Sequence, residues 1–501
     1  MFTSSNPQLF LEYFGIPYRL TTEGRAFGTL SWRGAAERAG RNPGRAASAM
    51  HWPLLDYTSA NALPRAAAFA GVLPAGEYRL DGMPLFCQIV PDGALGEWLT
   101  AHGRDWRPVH PIHDARGTRV GAVWRDADGS VLLPFDPAEA MRNLWSEAYH
   151  DASTSSLART KRLGLRAYYR VRPLLPRAAQ IRLRRWFTRI QARTRFPRWP
   201  VETSLHDLYA FLFQLVANVA GEPVPWLSPW PRGRTWALVL THDVETDPGY
   251  RRMRLLRTVE ERAGFRSSWN FVPKRYAVHD AVVHELTEAG FEVGVHGLYH
   301  DGRDLESLAL LEERLPAMRA SAERWGAVGF RAPATHRVWD WMPRLGFDYD
   351  SSYPDTDPFE PQAGGCCTWL PFFNRQTVEL PITLAQDHTM FVIQGCRDGA
   401  AWLDKAEFLR ARGGMALLIT HPDYMVEAHH LAAYERLLQH AGRDPECWRV
   451  LPRDVSAWWR RRAASSIQPM GESWRAVGPA AAEAQIRYAA PDVSPALVTA
   501  A

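Results

Sequence analysis

The sequence predicts an α/β protein in which a larger C-terminal domain follows a smaller α+β domain and a basic connector. From residue 231 to 462, short apolar runs alternate with helical patterns, which is typical of parallel strands with covering helices. Residues 1–155 instead alternate apolar runs with turn signals, and residues 156–230 are rich in arginine. The length of 501 residues is sufficient for two or three compact units of this kind.

The first domain, residues 1–155, contains one clear hairpin signal and one clear helix start. Two apolar runs, 122–124 and 131–133, flank the sequence Asp-Ala-Asp-Gly at 126–129, which is typical of a tight turn between antiparallel strands. Pro137 then opens a helical pattern, and proline is favoured in the first turn of a helix. These signals predict a mixed α+β domain, but no motif indicates its role.

The connector, residues 156–230, contains a strongly basic stretch. Residues 161–200 include thirteen Lys or Arg residues and no Asp or Glu. Leu183, Trp186 and Ile190 follow helical spacing and are surrounded by arginines, so an amphipathic helix is predicted. Such a helix can contact an anionic membrane surface through residues 177–195, or it can dock against its own protein with the arginine stems covering apolar surface. Both interpretations stay open, and we do not expect a nucleic-acid partner.

Composition indicates the cellular compartment and the state of the C-terminus. The five cysteines form no C-x-x-C pair and their number is odd, which favours a reducing compartment over a disulfide framework. No apolar run is long enough for a transmembrane segment, and the first twenty residues lack the basic start and apolar core of a secretion signal. We therefore expect a cytoplasmic protein, with peripheral contact to the inner membrane face through 177–195 as a further expectation. Residues 463–501 are rich in Ala, Pro and Ser, which predicts a disordered tail.

The strand around which the larger domain is organised is predicted at Trp236 to Leu240. Five consecutive large apolar residues without a polar helical face favour a buried strand. His242, Asp243 and Glu245 follow at once. Because the carboxyl ends of parallel strands meet in one crevice, these side chains suggest a functional site. Taken alone, Asp243 is explained equally well as the N-cap of a following helix.

Three further predicted strands also end in polar side chains, and this repetition favours a site over a cap. The strand at 291–295 is followed by His296 and His300, which can bind one cation if the segment between them is helical or a tight loop. A short strand near 328 ends at Arg331, and the apolar run from 415 to 419 ends at His421.

This ordered set of strand ends resembles the polysaccharide deacetylase family, also called the NodB homology or carbohydrate esterase 4-like group, over about residues 230–460. The family's first motif, usually TFDDG, is Thr-His-Asp-Val-Glu at 241–245. The His-x-x-x-His motif matches His296 and His300, the Arg-x-Pro motif matches residues 331–333, and the last strand end matches Leu-Ile-Thr-His at 418–421. The first motif departs from the family because Val244 separates its two acids.

The resemblance implies a distorted, incomplete (β/α) barrel of the NodB type and a set of roles. Asp243 corresponds to the catalytic base, Arg331 to the cation that keeps this base ionised, and His421 to the acid that protonates the leaving amine. The implied metal ligands are Glu245, His296 and His300. Asp243 and Glu245 could also exchange their roles, and that alternative stays open.

The implied activity is a metal-dependent hydrolase that removes N-acetyl or other acyl groups from amino sugars of a glycan or glycan precursor. Two histidines and one carboxylate suit zinc, although cobalt, nickel or iron fit the same ligands. The alternative is a non-catalytic glycan-binding or membrane-associated scaffold that keeps the deacetylase-like fold. Retention of both Arg331 and His421 favours the enzyme, because a scaffold has no need for them.

Overall fold

The structure is a computed structural model that describes residues 1–4, 9–21, 27–32, 48–54, 71–101, 105–152 and 196–491. The chain divides into two compact units. The first consists of residues 1–155, 203–228 and 461–501, and the second of 156–202 and 229–460. The described residues of the predicted connector, 196–230, are divided between the two units. Its basic amphipathic stretch, 177–195, lies outside the described residues.

The first unit contains a sheet with nine described strands, in the order β2-β1-β3-β4-β9-β8-β7-β5-β6. Neighbouring strands are antiparallel except for the parallel pairs β1 with β2 and β4 with β9. The strands are β1 Phe2–Ser4, β2 Tyr18–Leu20, β3 Phe27–Trp32, β4 Ala49–Pro53, β5 Leu73–Leu80, β6 Met83–Ile89, β7 Arg107–Asp114, β8 Arg119–Arg125 and β9 Val131–Leu132.

The predicted hairpin and helix start of the first unit are both present. β8 and β9 pair antiparallel, and the Asp126 N–H donates to the Ser130 carbonyl at 3.0 Å across the turn. The helix after this hairpin begins at Pro137, and its N-cap is Asp136, whose side chain accepts a hydrogen bond from the Ala138 N–H. The described helices of this unit are α1 Leu9–Phe14, α2 Asp92–Ala101, α3 Pro137–Trp145, α4 Tyr149–Ala152 and α5 Ser204–Ala220, and the short strand β10 Val224–Leu227 follows α5.

The second unit contains a sheet with nine described strands covered by helices, as the alternating pattern predicts. Its strands are β11 Trp236–Val244, β12 Ser268–Phe271, β13 Glu292–Val295, β14 Gly329–Phe330, β15 Tyr349–Asp350, β16 Phe372–Asn374, β17 Thr377–Glu379, β18 Met415–Thr420 and β19 Cys447–Val450. Its helices are α6 Asp247–Ala263, α7 Asp280–Glu288, α8 Leu308–Trp325, α9 Ala400–Ala411, α10 Ala428–Gly442 and α11 Pro452–Ala463, of which the last three residues belong to the first unit.

The sheet of the second unit is a curled half-barrel. Its strand order is β16-β17-β15-β14-β13-β12-β11-β18, with β19 also paired to β11, and every pair except β16 with β17 is parallel. Beyond β17 the backbone N–H groups of Thr383 and Leu384 both donate to the Leu417 carbonyl of β18, at 3.2 and 3.0 Å. The chain after β17 therefore returns to β18, although regular strand pairing does not close the circle.

The strand β11 is longer than its sequence pattern predicts. Its apolar run ends at Leu240, but the strand continues to Val244, and all nine of its residues are buried. A parallel strand covered on both faces is normally apolar throughout, so polar residues in its last half are exceptional. They place the first predicted motif inside the sheet and not in a loop. Among the described residues, no helix is both long and apolar enough to cross a membrane.

The predicted disordered tail is wrong for most of its length. Its residues form the strands β20 Ser466–Met470, β21 Ser473–Val477 and β22 Ile486–Ala489. β20 pairs with β21, and β22 pairs antiparallel with β10. The prediction failed because it relied on the Ala-, Pro- and Ser-rich composition, whereas a few apolar residues of this segment, such as Ile467 and Ala480, are buried. Residues 492–501 lie outside the described part of the chain.

Candidate active site

The last residues of β11 divide between the two faces of the sheet. Successive side chains of a strand point to opposite faces, so Thr241 and Asp243 lie on one face and His242 lies on the other. His242 is fully buried, and its Nε2 lies 2.7 Å from Glu260 Oε1 of α6. His242 therefore links β11 to a covering helix. Asp243 is left as the acid of this strand that faces the predicted site.

Asp243 is a buried carboxylate with two donors on one oxygen. Asn270 Nδ2 donates to Asp243 Oδ1 at 2.8 Å, and Arg331 Nη1 donates to the same oxygen at 3.1 Å. Burial alone would raise the pKa of Asp243, but the positive charges of Arg331 and His421 and the hydrogen bond from Asn270 outweigh it, and the pKa lies below its ordinary value. Asp243 is thus ionised at neutral pH, and its Oδ2 lies 3.9 Å from His296 Nε2.

Arg331, directly after β14, is fully buried and held at all three nitrogens of its guanidinium group. Nη1 donates to Thr241 Oγ1 at 2.8 Å as well as to Asp243. Nε donates to the Ser351 carbonyl at 2.9 Å, and Nη2 donates to Ser351 Oγ at 2.8 Å. Because each nitrogen of the guanidinium group donates a hydrogen bond, Arg331 holds its positive charge in a fixed position beside Asp243.

The three predicted metal ligands lie together. Donor atoms of Glu245, His296 and His300 are all within 4.8 Å of one another, and His300 Nε2 is 2.8 Å from Glu245 Oε1. Burial would raise the pKa of Glu245, but the hydrogen bond from His300 and the positive charge of His421 lower it below its ordinary range. The group is therefore an anionic oxygen beside two imidazoles.

His296 shows that this donor set fits a divalent cation. Its Nδ1 lies 3.1 Å from the Arg331 carbonyl, which can only accept, so Nδ1 carries the hydrogen and Nε2 carries a lone pair. This Nε2 is buried and has no hydrogen-bond partner among the described residues. Burial lowers the pKa of His296 to about 4, so the ring is neutral, as a metal ligand must be. A buried imidazole lone pair beside a carboxylate and a second imidazole matches the ligand chemistry of zinc.

A tight loop, not a helix, brings His296 and His300 together. Gly297 has φ +64°, and a Cβ at this position would lie 2.4 Å from Asp304 Oδ2 and 2.6 Å from Pro333 Cγ, so only glycine fits. His300 itself has φ +57°, a left-handed conformation that costs energy for a residue other than glycine. Surrounding contacts must hold the loop in this shape.

Arg314 of α8 supplies those contacts. Its Nη1 donates to Asp304 Oδ1 at 2.6 Å, and its Nη1 and Nη2 donate to the two oxygens of Asp301 at 2.8 and 2.7 Å. Asp304 Oδ2 in turn accepts from the Leu298 N–H at 3.1 Å. One nearly buried guanidinium thereby fixes both acids. Asp301 directly follows His300, and Asp304 is bonded to the middle of the loop.

His421 lies at the end of β18, beside the same donor set. Its Nε2 is 3.7 Å from Glu245 Oε1, and its Nδ1 is 2.6 Å from Asp387 Oδ1. Burial would lower the pKa of His421, but the charge and hydrogen bond of Asp387 outweigh it, and the pKa rises to about 10. At neutral pH His421 is therefore an imidazolium that can give up a proton.

Two side chains of this site, Asn270 and Asp387, lie outside the motifs matched in the sequence. Asn270 is an amide within the buried strand β12, and this was the available signal, since a polar group in a buried strand requires a partner. Asp387 closely follows a mainly apolar stretch at 378–384, as the other site residues follow their apolar runs, but it belongs to none of the matched motifs.

Comparisons with known proteins give a structural resemblance only. No protein-family model matches the sequence, and no curated protein is detectably similar to it. A Mycobacterium smegmatis protein described as a polysaccharide deacetylase is 21% identical, with 48% of this chain and 97% of that chain covered and a TM-score of 0.39.

Two other solved structures show similar values. For PuuE allantoinase the identity is 19%, the coverage 46% of this chain and 92% of that chain, and the TM-score 0.37. A family 4 carbohydrate esterase from Streptomyces lividans, solved with acetate, is 14% identical. The comparison covers 41% of this chain and 88% of that chain, and the TM-score is 0.28. The chain resembles polysaccharide deacetylases and family 4 esterases over less than half of its length, and a functional assignment must rest on its own residues.

Proposed function

We propose that this protein is a metal-dependent hydrolase that removes N-acetyl, or another acyl, groups from the amino sugars of a glycan or glycan precursor. The observation that carries the proposal is that an ionised carboxylate and a protonated imidazole lie beside the same three candidate metal ligands. Asp243 is ionised and its Oδ2 lies 3.9 Å from His296, while His421 is protonated and its Nε2 lies 3.7 Å from Glu245. Amide hydrolysis needs one group of each kind, because a proton must leave water and another must reach the amine.

Glu245, His296 and His300 would hold the metal. Three protein ligands of this type leave an open coordination position, which is the arrangement of catalytic zinc sites. When bound, the ion would polarise the acyl carbonyl and lower the pKa of a water molecule. The Nε2 of His296, which has no hydrogen-bond partner among the described residues, supports this assignment most directly.

Asp243 would act as the general base. Its Oδ1 already accepts from Asn270 and Arg331, so Oδ2 is the oxygen that can take the proton of the attacking water. Arg331 keeps the carboxylate ionised and fixed in orientation, and a base in this position must be unprotonated before the reaction. This geometry favours Asp243 as the base and Glu245 as the ligand over the reverse assignment.

His421 would act as the general acid. As the bond between the acyl carbon and the nitrogen breaks, Nε2 donates its proton to the leaving nitrogen, and the free amine of the sugar is released with the carboxylic acid. Asp387 holds Nδ1 and so directs Nε2 toward the donor set. The order of the strand-end motifs, which resembles that of polysaccharide deacetylases, favours an acetylated amino sugar as the substrate.

Acetate release and metal content, measured on the same protein, test this proposal. The full chain is loaded with zinc and offered three acetylated substrate classes: nucleotide sugars, lipid-linked glycans and polymeric glycans. We expect acetate from at least one class and loss of that release in Asp243→Asn. Stoichiometric zinc without acetate from any of the three classes would favour the non-catalytic scaffold.

A further inference from the structure

Two acidic side chains oppose each other in the buried part of the second sheet. Asp350 of β15 and Glu379 of β17 are register partners on neighbouring parallel strands, and their exposed fractions are 1% and 0%. Two like charges directly opposite each other in a sheet destabilise it, and two unpaired buried charges would be far more costly still. One of the two carboxyl groups is therefore expected to carry a proton.

Hydrogen bonds indicate which of the two groups is charged. Asp350 accepts from the Ser352 N–H at 2.9 Å and from Ser352 Oγ at 2.7 Å, as an ionised carboxylate does. Neither oxygen of Glu379 has a hydrogen-bond partner of normal geometry among the described residues. As a carboxylate, Glu379 would be a buried charge without such a partner. As an acid, it would have a hydrogen to offer to the carboxylate of Asp350, its register partner on the neighbouring strand.

The charged and polar groups around the pair agree with this distribution. Burial raises the pKa of Glu379, and the charge of Asp350 raises it further, while Asn374 of β16 acts weakly in the opposite direction. Burial raises the pKa of Asp350 as well, but the hydrogen bonds of Glu379 and Ser352 and the positive charge of Arg331 oppose this rise, which is smaller than the rise at Glu379. Glu379 has no such cation among the groups that shift its pKa.

We propose that Glu379 is a neutral carboxylic acid in the folded protein, that it donates its proton to ionised Asp350, and that this pair positions Arg331. The path is short. Asp350 fixes Ser352, and Ser352 Oγ accepts from the Ala332 N–H at 2.8 Å, next to Arg331. Ser351, between the two, accepts from Arg331 through both its carbonyl and its hydroxyl group.

The pair thus supports the cation that contacts Asp243. Deprotonation of Glu379 would place a second negative charge against Asp350 and disturb the segment 350–352 that holds Arg331. Neither acid touches the reacting groups, so both are positioning residues. This role goes beyond the proposed hydrolase activity, because the proton on Glu379 exists whether or not the site turns over substrate.

The first test measures unfolding against pH for the full chain and for Glu379→Gln. A glutamine side chain has the shape of the neutral acid and keeps a hydrogen to donate. In the parent the folded state keeps a proton that the unfolded state loses above a pKa of about 4.3. The raised pKa therefore adds stability that is fully present below that pH and is lost as pH rises through the folded pKa.

In the transition of the second unit, we expect the unfolding equilibrium constant of the parent, relative to Glu379→Gln, to rise about tenfold per pH unit above pH ~5. Asp350→Asn is the second variant, since it removes the charge that raises the pKa of Glu379 beyond the effect of burial, and a relative rise over a narrower pH range is expected against it. If the parent and the variants depend on pH in parallel, the proposal is wrong. If Glu379→Gln does not fold, Asp350→Asn decides by the same criterion.

The second test concerns the positioning role and rests on the proposed function. We expect Glu379→Leu, which has no donor, to lower kcat while zinc content is kept, and Glu379→Gln to restore kcat. Glu292→Gln is the matched control, because Glu292 is an equally buried acid that accepts from Tyr349 and Arg453 and does not contact Arg331. Equal kcat in the Leu and Gln variants would refute the positioning role. Absence of activity in the parent would instead refute the proposed function, and the unfolding measurement would still decide the protonation.

Discussion

His421 and Asp387 make two hydrogen bonds with each other although 34 positions separate them in the sequence. The imidazole Nδ1 lies 2.6 Å from Oδ1, and the His421 backbone N–H donates to Oδ2 at 2.7 Å. Asp387 is fully buried, so its charge acts on the ring with little screening from water. The same carboxylate fixes the backbone, the orientation and the protonation of His421.

Asp387→Asn should therefore move the alkaline limb of the pH–rate profile to lower pH. His421 must be protonated to act as an acid, and its pKa of about 10 keeps it so at neutral pH. Without the Asp387 charge, burial dominates and the pKa falls, so activity should be lost as pH rises through a lower value than in the parent. The profile of kcat/KM between pH 6 and 10 measures this shift. Asp398→Asn, which changes an exposed acid at the start of α9, should leave the limb in place. An unmoved limb in Asp387→Asn would show that His421 is not the acid.

Asp243 and Glu245 are distinguished by measuring metal and rate together. Asp243→Asn should keep zinc but lose about 10²–10⁴-fold in rate, because an amide cannot accept the proton of water. Glu245→Gln should instead weaken zinc binding, since a neutral amide oxygen is a poor replacement for an anionic ligand. Zinc loss in Asp243→Asn with retention in Glu245→Gln would reverse the two roles.

Arg314 should control metal affinity without touching the metal. Arg314→Lys keeps the positive charge but cannot bind both Asp301 and Asp304 in the same forked geometry. The loop that carries His300 in a left-handed conformation would lose its restraint, and we expect zinc affinity to fall about 10–100-fold. Competition with a chromophoric chelator measures the affinity. Arg303→Ala is the matched control, because Arg303 pairs with exposed Glu306 on the same loop. Equal affinities in the two variants would contradict the restraint.

The parts of the site that could be predicted from sequence are those encoded by local pattern. β11, β13 and β18 are apolar runs that end abruptly, and this pattern alone places Asp243, His296 and His421 at one edge of a parallel sheet. Their grouping follows from the strand order, which the regular alternation of strands and helices implies.

The remaining features depend on distant contacts. Asp387 becomes significant only because the chain after β17 returns to β18, and the opposition of Asp350 and Glu379 depends on register, which no local pattern specifies. The C-terminal strands were missed for a related reason. Their composition is that of a disordered segment, and β22 pairs with β10, which lies more than 250 residues earlier in the sequence.

Removal of residues 464–501 tests whether the C-terminal strands stabilise the first unit. β22 pairs with all four residues of β10, and Arg487 of β22 lies over the ring of Trp226, with its Cζ 5.9 Å from the ring centroid. Ile467 of β20 is 1% exposed, and burial of such a side chain contributes roughly 1.5–3 kcal/mol. We therefore expect the truncated chain to unfold at a lower temperature, with Arg462 and its bonds to the Ser228 and Leu227 carbonyls retained.

The matched control for this truncation removes residues 492–501, which contain none of the described strands, and it should leave the unfolding temperature of the first unit unchanged. Ile467→Ala in the full chain supplies an intermediate case, since loss of a buried isoleucine side chain typically costs about 2–5 kcal/mol. Differential scanning calorimetry compares the unfolding temperatures of the long truncation, the short truncation and Ile467→Ala. If the long truncation unfolds at the same temperature as the short one, the C-terminal strands do not contribute to the core of the first unit.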